Sequence, residues 1–373
     1  MRLPILSTRE PHQAARSSHP NRPDRPPRPA PHSWPWRVAL TSLLAWVPLQ
    51  ARAAEEPFAA ALAEAERTPS QFQTARQRQA AVTLFTALVG IPSPSGAEGP
   101  LRNYLRGYLT ALGAREIRLA KPEAPRMNNL VMEFPASPGL ADQGAILLNA
   151  HLDTISALRC TPEGMRYDAG QGDFYHEGEN QPGRSSSFGA DDKAGVTVIV
   201  SALAALQTRP LNQSIGNPDG RARSAAHRRI LVVLTAEEET GFKGAKHLAQ
   251  YYPELFAGVE VSLTFDGPLE FDSHYPKDSL VVVVQEASAA TQPYRHVLEL
   301  VGQACGEMKV SHGRTETGLG MGDFEAFPAA AHAGLHLRSP QRGLHARERV
   351  KVADLIRHID LLEYLLLNYD AKQ

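Results

Sequence analysis

Five separated segments of this chain carry a histidine or a group of carboxylates where a metal could be held. They are ILLNAHLDT (146–154), SSFGADDKAGV (186–196), VVLTAEEETGFKGA (232–245), VSLTFDGP (261–268) and RGLHARERV (342–350). Together they offer His151, Asp191, Glu239, Asp266 and His345 as ligands, with Asp153 and Glu238 as helpers. Zinc accepts imidazole nitrogen and carboxylate oxygen, and a catalytic site keeps one position open for water. Five donors suit two adjacent ions, and two ions bridged by a carboxylate activate water and polarise a carbonyl together. Two Zn2+ are therefore the expected cofactors, with Co2+ or Mn2+ as alternative occupants.

The elements around these residues suit that purpose. ILLNA is a short apolar run, so His151 should stand just beyond a buried strand and open onto a loop. RRILVVLTAEEE repeats the pattern, and VEVSLTF followed by Asp266 repeats it again. In open α/β sheets, ligands gather outside the carboxyl ends of the strands. KAGVTVIVSALAAL, after Asp191, is small and apolar and predicts a helix packed on the sheet. NNLVMEF, SLVVVV and AGLHLRS read as further strands, and residues 70–113 as two helices around GIPSPSGAEG. PYRHVLELVGQAC and VKVADLIRHIDLLEYLLLNY read as later helices, the last amphipathic. Residues 156–188 and 208–229 have the composition of polar loops. This alternation predicts an α/β fold, a three-layer α/β/α sandwich on a mostly parallel central sheet. Taken singly, each candidate ligand has a bland explanation. Glutamates also open solvated helices, and an aspartate before Gly-Pro also makes a turn. Those explanations do not account for the ordered set.

The H-x-D motif at His151, G-A-D-D-K at 189–193 and the glutamates before Thr240-Gly241 carry a resemblance. The set resembles the co-catalytic zinc peptidases of the peptidase T, carboxypeptidase G and acetylornithine deacetylase family, over roughly residues 75 to 370. The resemblance implies a zinc-exopeptidase (phosphorylase/hydrolase-like) version of the fold. It implies that His151 binds one zinc while Asp153 orients it, and that Asp191 bridges both ions. It makes Glu238 the general base and Glu239 a ligand, leaving Glu237 spare. One zinc would then sit on His151, Asp191 and Asp266, the other on Asp191, Glu239 and His345. The family also implies a cis bond between Asp191 and Asp192. Two-domain members insert a lid where this chain has only SLVVVV, a helix, GRTETGLGMGDFEAFP and AGLHLRS, so no lid is expected. In that respect the chain is similar to single-domain zinc aminopeptidases, whose corresponding loop carries an aspartate before an aromatic, here Asp323-Phe324. Arg314, Thr315 and Arg342 are candidates for binding a substrate carboxylate or carbonyl. Histidines 176, 247, 312, 332, 336 and 358 have no motif support.

The 373 residues carry a net charge of −1 and are 42% hydrophobic. That suffices for a large core and gives no electrostatic reason to expect nucleic acid or an anionic membrane as partner. Residues 1–37 are rich in Pro, Arg, His and Ser and predict a disordered arm. WRVALTSLLAWVPLQARA then supplies a charge, a short apolar stretch and an A-x-A site ending at Ala53. This reads as a signal peptide, too short for a comfortable membrane span. The expected organisation is an arm and signal peptide over 1–53 and a single catalytic domain over 54–373, periplasmic or secreted and monomeric. An oxidising compartment would permit the two cysteines, Cys160 and Cys305, to pair. Nothing beside either would activate it as a nucleophile.

The expected function is a zinc-dependent exopeptidase, aminopeptidase or tripeptidase-like, acting on short peptides. An amidohydrolase acting on N-acyl amino acids is the alternative within the same chemistry. A non-catalytic metal-binding relative is the alternative outside it, and an intact Glu238 beside a full ligand set argues against that. The export reading is checked directly: N-terminal sequencing of the exported protein should begin at Ala54, and an intact Arg2 would refute it.

Overall fold

Strands paired on both sides and covered on both faces need unbroken apolar runs, and the centre of this chain supplies them. The structure is a computed structural model. It describes residues 55–137, 139–155, 164–178, 187–208, 227–268, 280–284, 292–316, 322–327, 334–343, 345 and 347–369. These all belong to one unit of the chain, Ala45–Gln373. The predicted arm, the signal peptide and Cys160 lie outside the described residues.

Three helices come first: α1 (Glu55–Arg67), α2 (Ala75–Val89) and α3 (Gly99–Ala111). They are followed by strands β1 (Arg115–Glu116), β2 (Leu130–Phe134), β3 (Ala145–His151), β4 (Met165–Asp168) and β5 (Asp173–His176). The middle of the chain forms α4 (Ala190–Thr208), β6 (Ile230–Thr235), α5 (Lys243–Tyr251) and β7 (Val259–Pro268). Then come β8 (Leu280–Val284), α6 (Gln292–Met308), β9 (His312–Glu316), β10 (Gly334–Ser339), β11 (Gln341–Arg342), β12 (Arg349–Lys351) and α7 (Val352–Asn368).

Eight strands form one sheet in the order β1-β2-β6-β3-β7-β10-β8-β9. Its centre, β6-β3-β7-β10, is wholly parallel, and β8 and β9 are parallel to each other. The pairings β1/β2, β2/β6 and β10/β8 are antiparallel. Every residue of β3 and of β6 is buried. Val131, Leu147, Leu231 and Val233 form one core with Ala245, Leu248, Tyr252 and Phe256 of α5 and the turn after it. Successive strand residues point to opposite faces, and α4 packs against β3, β7 and β10 with α2 and α7 beside it. This is the expected α/β fold with a mostly parallel central sheet.

Three features differ from the sequence reading. The polar stretch 156–188 contains the hairpin β4-β5, which joins β11 and β12 in a second, four-stranded sheet. Residues 312–316 form the edge strand β9 instead of a loop. Helix α7 is buried on nearly every side and not amphipathic in its surroundings, because α1, α2, α4 and α6 all pack on it. Its polar groups are correspondingly partnered: Asp360 accepts from Ser70 Oγ (2.7 Å), Gln71 N (3.3 Å) and Gln73 Nε2 (2.8 Å). Among the described residues, no helix is long and apolar enough to cross a membrane.

Phe85 of α2 links these layers, with ring centroids 5.3 Å from Phe174 of β5 and 6.3 Å from Phe188, just before Asp191. Phe85→Ala should destabilise the protein by about 3–5 kcal/mol, since the fully buried ring leaves a cavity on collapse. Urea unfolding checks this, and a loss under about 1 kcal/mol would show that the site repacks.

Candidate metal centre

A parallel sheet delivers its strand ends to one rim, and the predicted ligands meet there. His151 ends β3, Glu238 and Glu239 follow β6, Asp266 lies near the end of β7, and Asp191 opens α4. His345 arrives from the segment between β11 and β12. Three of its backbone positions, Gly343, His345 and Arg347, have positive φ of 72°, 56° and 55°. For His345 that left-handed conformation is uncommon, which makes it a held conformation. The Asp191–Asp192 peptide bond is cis.

Two triads sharing Asp191 converge, beside a third group of His151, Glu238 and Glu239. His151, Asp191 and Asp266 have donor atoms mutually within 4.8 Å, and so do Asp191, Glu239 and His345. Asp191 is common to both. His151 Nε2 stands 3.3 Å from Asp191 Oδ1, 3.7 Å from Asp266 Oδ1 and 4.0 Å from Glu238 Oε2. His345 Nε2 stands 2.9 Å from Glu239 Oε1 and 3.5 Å from Asp191 Oδ2. Despite that short approach, Glu239 Oε1 is buried and makes no hydrogen bond. Imidazole with carboxylate is a zinc donor set. The residues therefore fit a pair of divalent ions.

The electrostatics call for positive charge. Burial pushes Glu238 up to about 10, and the carboxylates of Asp266, Asp323 and Glu239 add to it. His345 is pushed up to about 10 by the carboxylates of Asp191 and Glu239. Burial opposes charging of His151, but Asp153, Asp191 and Asp266 overcome it and raise its pKa well above the ordinary value. For Asp191 burial acts upward, yet the two histidines hold it well below the usual carboxylate range. A nearby cation favours ionised carboxylates and replaces protons on the imidazoles.

The helpers are placed with a difference in detail. His151 Nδ1 donates to the backbone carbonyl of Asp153 at 3.0 Å, while the nearer carboxylate oxygen of Asp153 is at 3.5 Å. That bond orients the ring and turns Nε2 toward Asp191, where a bound cation would replace its proton. The Asp153 carboxylate instead accepts from Glu238 N (2.9 Å), Glu239 N (3.2 Å) and Ser95 Oγ (2.7 Å). Glu237 is turned aside and pairs with Lys243 at 2.8 Å. Arg342 is buried and donates to Asp354 of α7 at 3.1 Å. Arg314 lies on β9 in register with Val282, and its side chain is outside the described residues.

Several supporting groups join them, of which the sequence reading marks Asp192 and Asp323 but not Glu348, Ser339 or Thr235. Glu348 Oε2 accepts from three consecutive amides, Phe188 N (3.0 Å), Gly189 N (2.9 Å) and Ala190 N (2.9 Å), and so fixes the turn into Asp191. Asp192 accepts from the Ser339 hydroxyl and from Gly195 N. A Cβ at Gly195 would lie 2.4 Å from Asp192 Oδ1, which is why glycine stands there. Asp323 is buried and accepts from the Thr235 hydroxyl, and burial lifts it to about 7. His336 Nε2 donates to the Asp266 carbonyl at 2.9 Å, so it braces a ligand strand. No local motif marks Glu348, His336 or Ser339.

Residues 129–360 match the model of Peptidase family M28. Over 163 residues the chain is 28% identical to the cytosol non-specific dipeptidase of Escherichia coli (strain K12), covering 43% of this chain and 28% of that protein. The chain thus spans under a third of that relative's length. Among solved structures, a tripeptidase from Staphylococcus aureus superposes with a TM-score of 0.59 at 14% identity, over 79% of this chain and 99% of its own. Aminopeptidase PepT from Bacillus cereus gives 0.58 at 14% identity, over 78% and 98%. An aminopeptidase of the archaeon Desulfurococcus kamchatkensis gives 0.51 at 15% identity, over 78% and 95%. At such identities the likeness is one of fold.

Metal analysis of purified variants tests the geometry. His151→Ala and Asp266→Ala should each lower bound zinc, while Asp153→Asn should weaken affinity by about 10–100-fold. Equal zinc content in all three would refute the coordination scheme.

Proposed function

Because the chain belongs to Peptidase family M28 and is thereby a hydrolase of peptide bonds, we propose that it is a two-metal exopeptidase acting on short peptides. Members of this family are metal-dependent, usually on zinc. The observation that carries the finer reading is the pair of triads sharing Asp191, with Glu238 beside them. Its structural neighbours include aminopeptidases and a tripeptidase, which favours release of residues from peptide ends.

Two divalent ions bound at these triads would supply Lewis-acid polarisation of the scissile carbonyl and a lowered pKa for the attacking water. The chain's own residues divide the remaining work. His151, Asp191 and Asp266 hold one position, and Asp191, Glu239 and His345 hold the other. Glu238 takes the proton from the attacking water and returns it to the leaving amine nitrogen. Asp153 keeps Glu238 and Glu239 in place through their amides. Burial of Asp153, Asp191 and Asp266 keeps bulk water from competing for the donors. We read residues 54–373 as a single catalytic domain without a lid and monomeric, exported by the leader that precedes it.

Glu238→Gln should retain bound zinc and lose about 10²–10⁴-fold in kcat, because an amide cannot accept the proton. A panel of di- and tripeptides with free amines, set against N-acyl amino acids, measures both points. Turnover near wild type in the variant would move the base elsewhere, and hydrolysis of the N-acyl series alone would replace the exopeptidase reading.

A further inference from the structure

The turn that carries the base has four consecutive backbone amides, and each is taken by a side chain from elsewhere in the chain. Ala236 N donates to Asn129 Oδ1 at 2.9 Å and Glu237 N to Glu98 Oε1 at 3.2 Å. Glu238 N and Glu239 N donate to the Asp153 carboxylate. Glu237 itself has a φ of 52°, a left-handed conformation that an L residue keeps only when its surroundings impose it.

Glu98 is unusual among these acceptors. It is fully buried, and among the described residues it forms no ion pair with a lysine or arginine. It stands at the N-cap of α3, yet its side chain makes no capping bond to that helix. Instead its carboxylate collects Gly96 N (2.7 Å), Asn128 Nδ2 (2.8 Å) and Glu237 N. Burying a carboxylate on three neutral donors is costly unless all three are kept. Glu98 thus ties three segments together: the turn before α3, the start of β2 and the base turn. Ser95, in the same turn before α3, donates to Asp153.

We propose that Glu98 is a positioning residue for the reaction, holding Glu237 N so that Glu238 projects to the metal side of the turn. This rests on the reading of Glu238 as the general base. The Asp153 carboxylate grips the turn from Glu238 onward, and Glu98 grips it one residue before. Without Glu98, the strained residue adjoining the base has no external hold on its amide, and the turn that enters Glu238 loosens on its N-terminal side while Asp153 still holds the amides of Glu238 and Glu239. A misplacement of about 1 Å at a reacting group costs up to about 10²-fold in rate.

The test is hydrogen exchange and steady-state kinetics on Glu98→Ala and Glu98→Gln in the zinc-loaded, full-length protein. Glu98→Ala should speed exchange of the amides at 236–239 by about tenfold or more, with β3, β6 and α7 unchanged. Its kcat should fall while KM and zinc content hold, and Glu98→Gln, which keeps an acceptor at Oε1, should recover most of both. Wild-type exchange at 236–239, or exchange rising evenly across the sheet with kcat unchanged, would overturn the proposal. If Glu98→Ala does not fold, Asn128→Ala, which removes one of the donors that hold the Glu98 carboxylate, should give the same local signature at lower amplitude, and its absence overturns the proposal equally. Exchange needs no substrate, so a protein that cleaves no peptide would defeat the peptidase reading while exchange still decides this one.

Discussion

Carboxylates crowded at one rim of a buried sheet must each be offset at short range, and the rest of this structure follows from that. Asp153, Asp191, Asp192, Asp266, Asp323 and Glu348 are all under a tenth exposed. An isolated buried carboxylate costs several kcal/mol, so each needs donors or a cation. The fold meets this in two distinct ways. One set of acids is satisfied by amides and hydroxyls: Asp153 by Glu238 N, Glu239 N and Ser95, Glu348 by three amides before Asp191, and Asp192 by Ser339 and Gly195 N. For Asp191, Glu239 and Asp266, no backbone amide is bonded to the side chain among the described residues, and imidazoles are their near neighbours. That partition separates the acids that build the centre from those left to face a cation.

The building acids act on backbone more than on side chains. Each reaches from one segment to the amides of another, so ligand geometry is set by loops that are tied down at several points. A charge-assisted bond to a backbone amide is about twice as strong as a neutral one. One such tie, from Glu98 to the amide of Glu237, holds a left-handed backbone without glycine. A ligand carried on an untethered loop would wander by more than the few tenths of an ångström that coordination tolerates.

Much of this was legible in the sequence, and the exceptions are instructive. The apolar runs of β3, β6 and β7 are unambiguous because a central parallel strand has no polar face to interrupt it. The ligands follow those runs directly, so their types and order show through. The hairpin MRYDAGQGDFYH is short and half polar, and its partners β11 and β12 come from the far end of the chain, so it reads as loop. HGRTE pairs on one side only, against β8, and an edge strand with polar residues carries no apolar signature. The terminal helix reads as amphipathic because Asp354, Asp360 and Glu363 stand at polar positions, yet all three are buried, Asp360 under the turn after α1 and Asp354 against Arg342. Glu98 and Glu348 are illegible for a general reason. A buried glutamate and a solvated one are the same letter, and only tertiary structure decides which amides approach it.

The shared aspartate has a consequence for the order in which the molecule comes into being. Asp191 begins α4, and α4 lies beneath α7, while the amides that set the Asp191 turn are held by Glu348. The donors for the second ion are split between residues 191, 239 and 345, so neither triad is rigid until strands from both halves have docked. A growing polypeptide that has produced only the first four ligands presents acids without their second imidazole or their anchoring glutamate. With one imidazole among three carboxylates, such a chain would favour zinc over the oxygen-loving cations magnesium and calcium less than the finished set with two imidazoles.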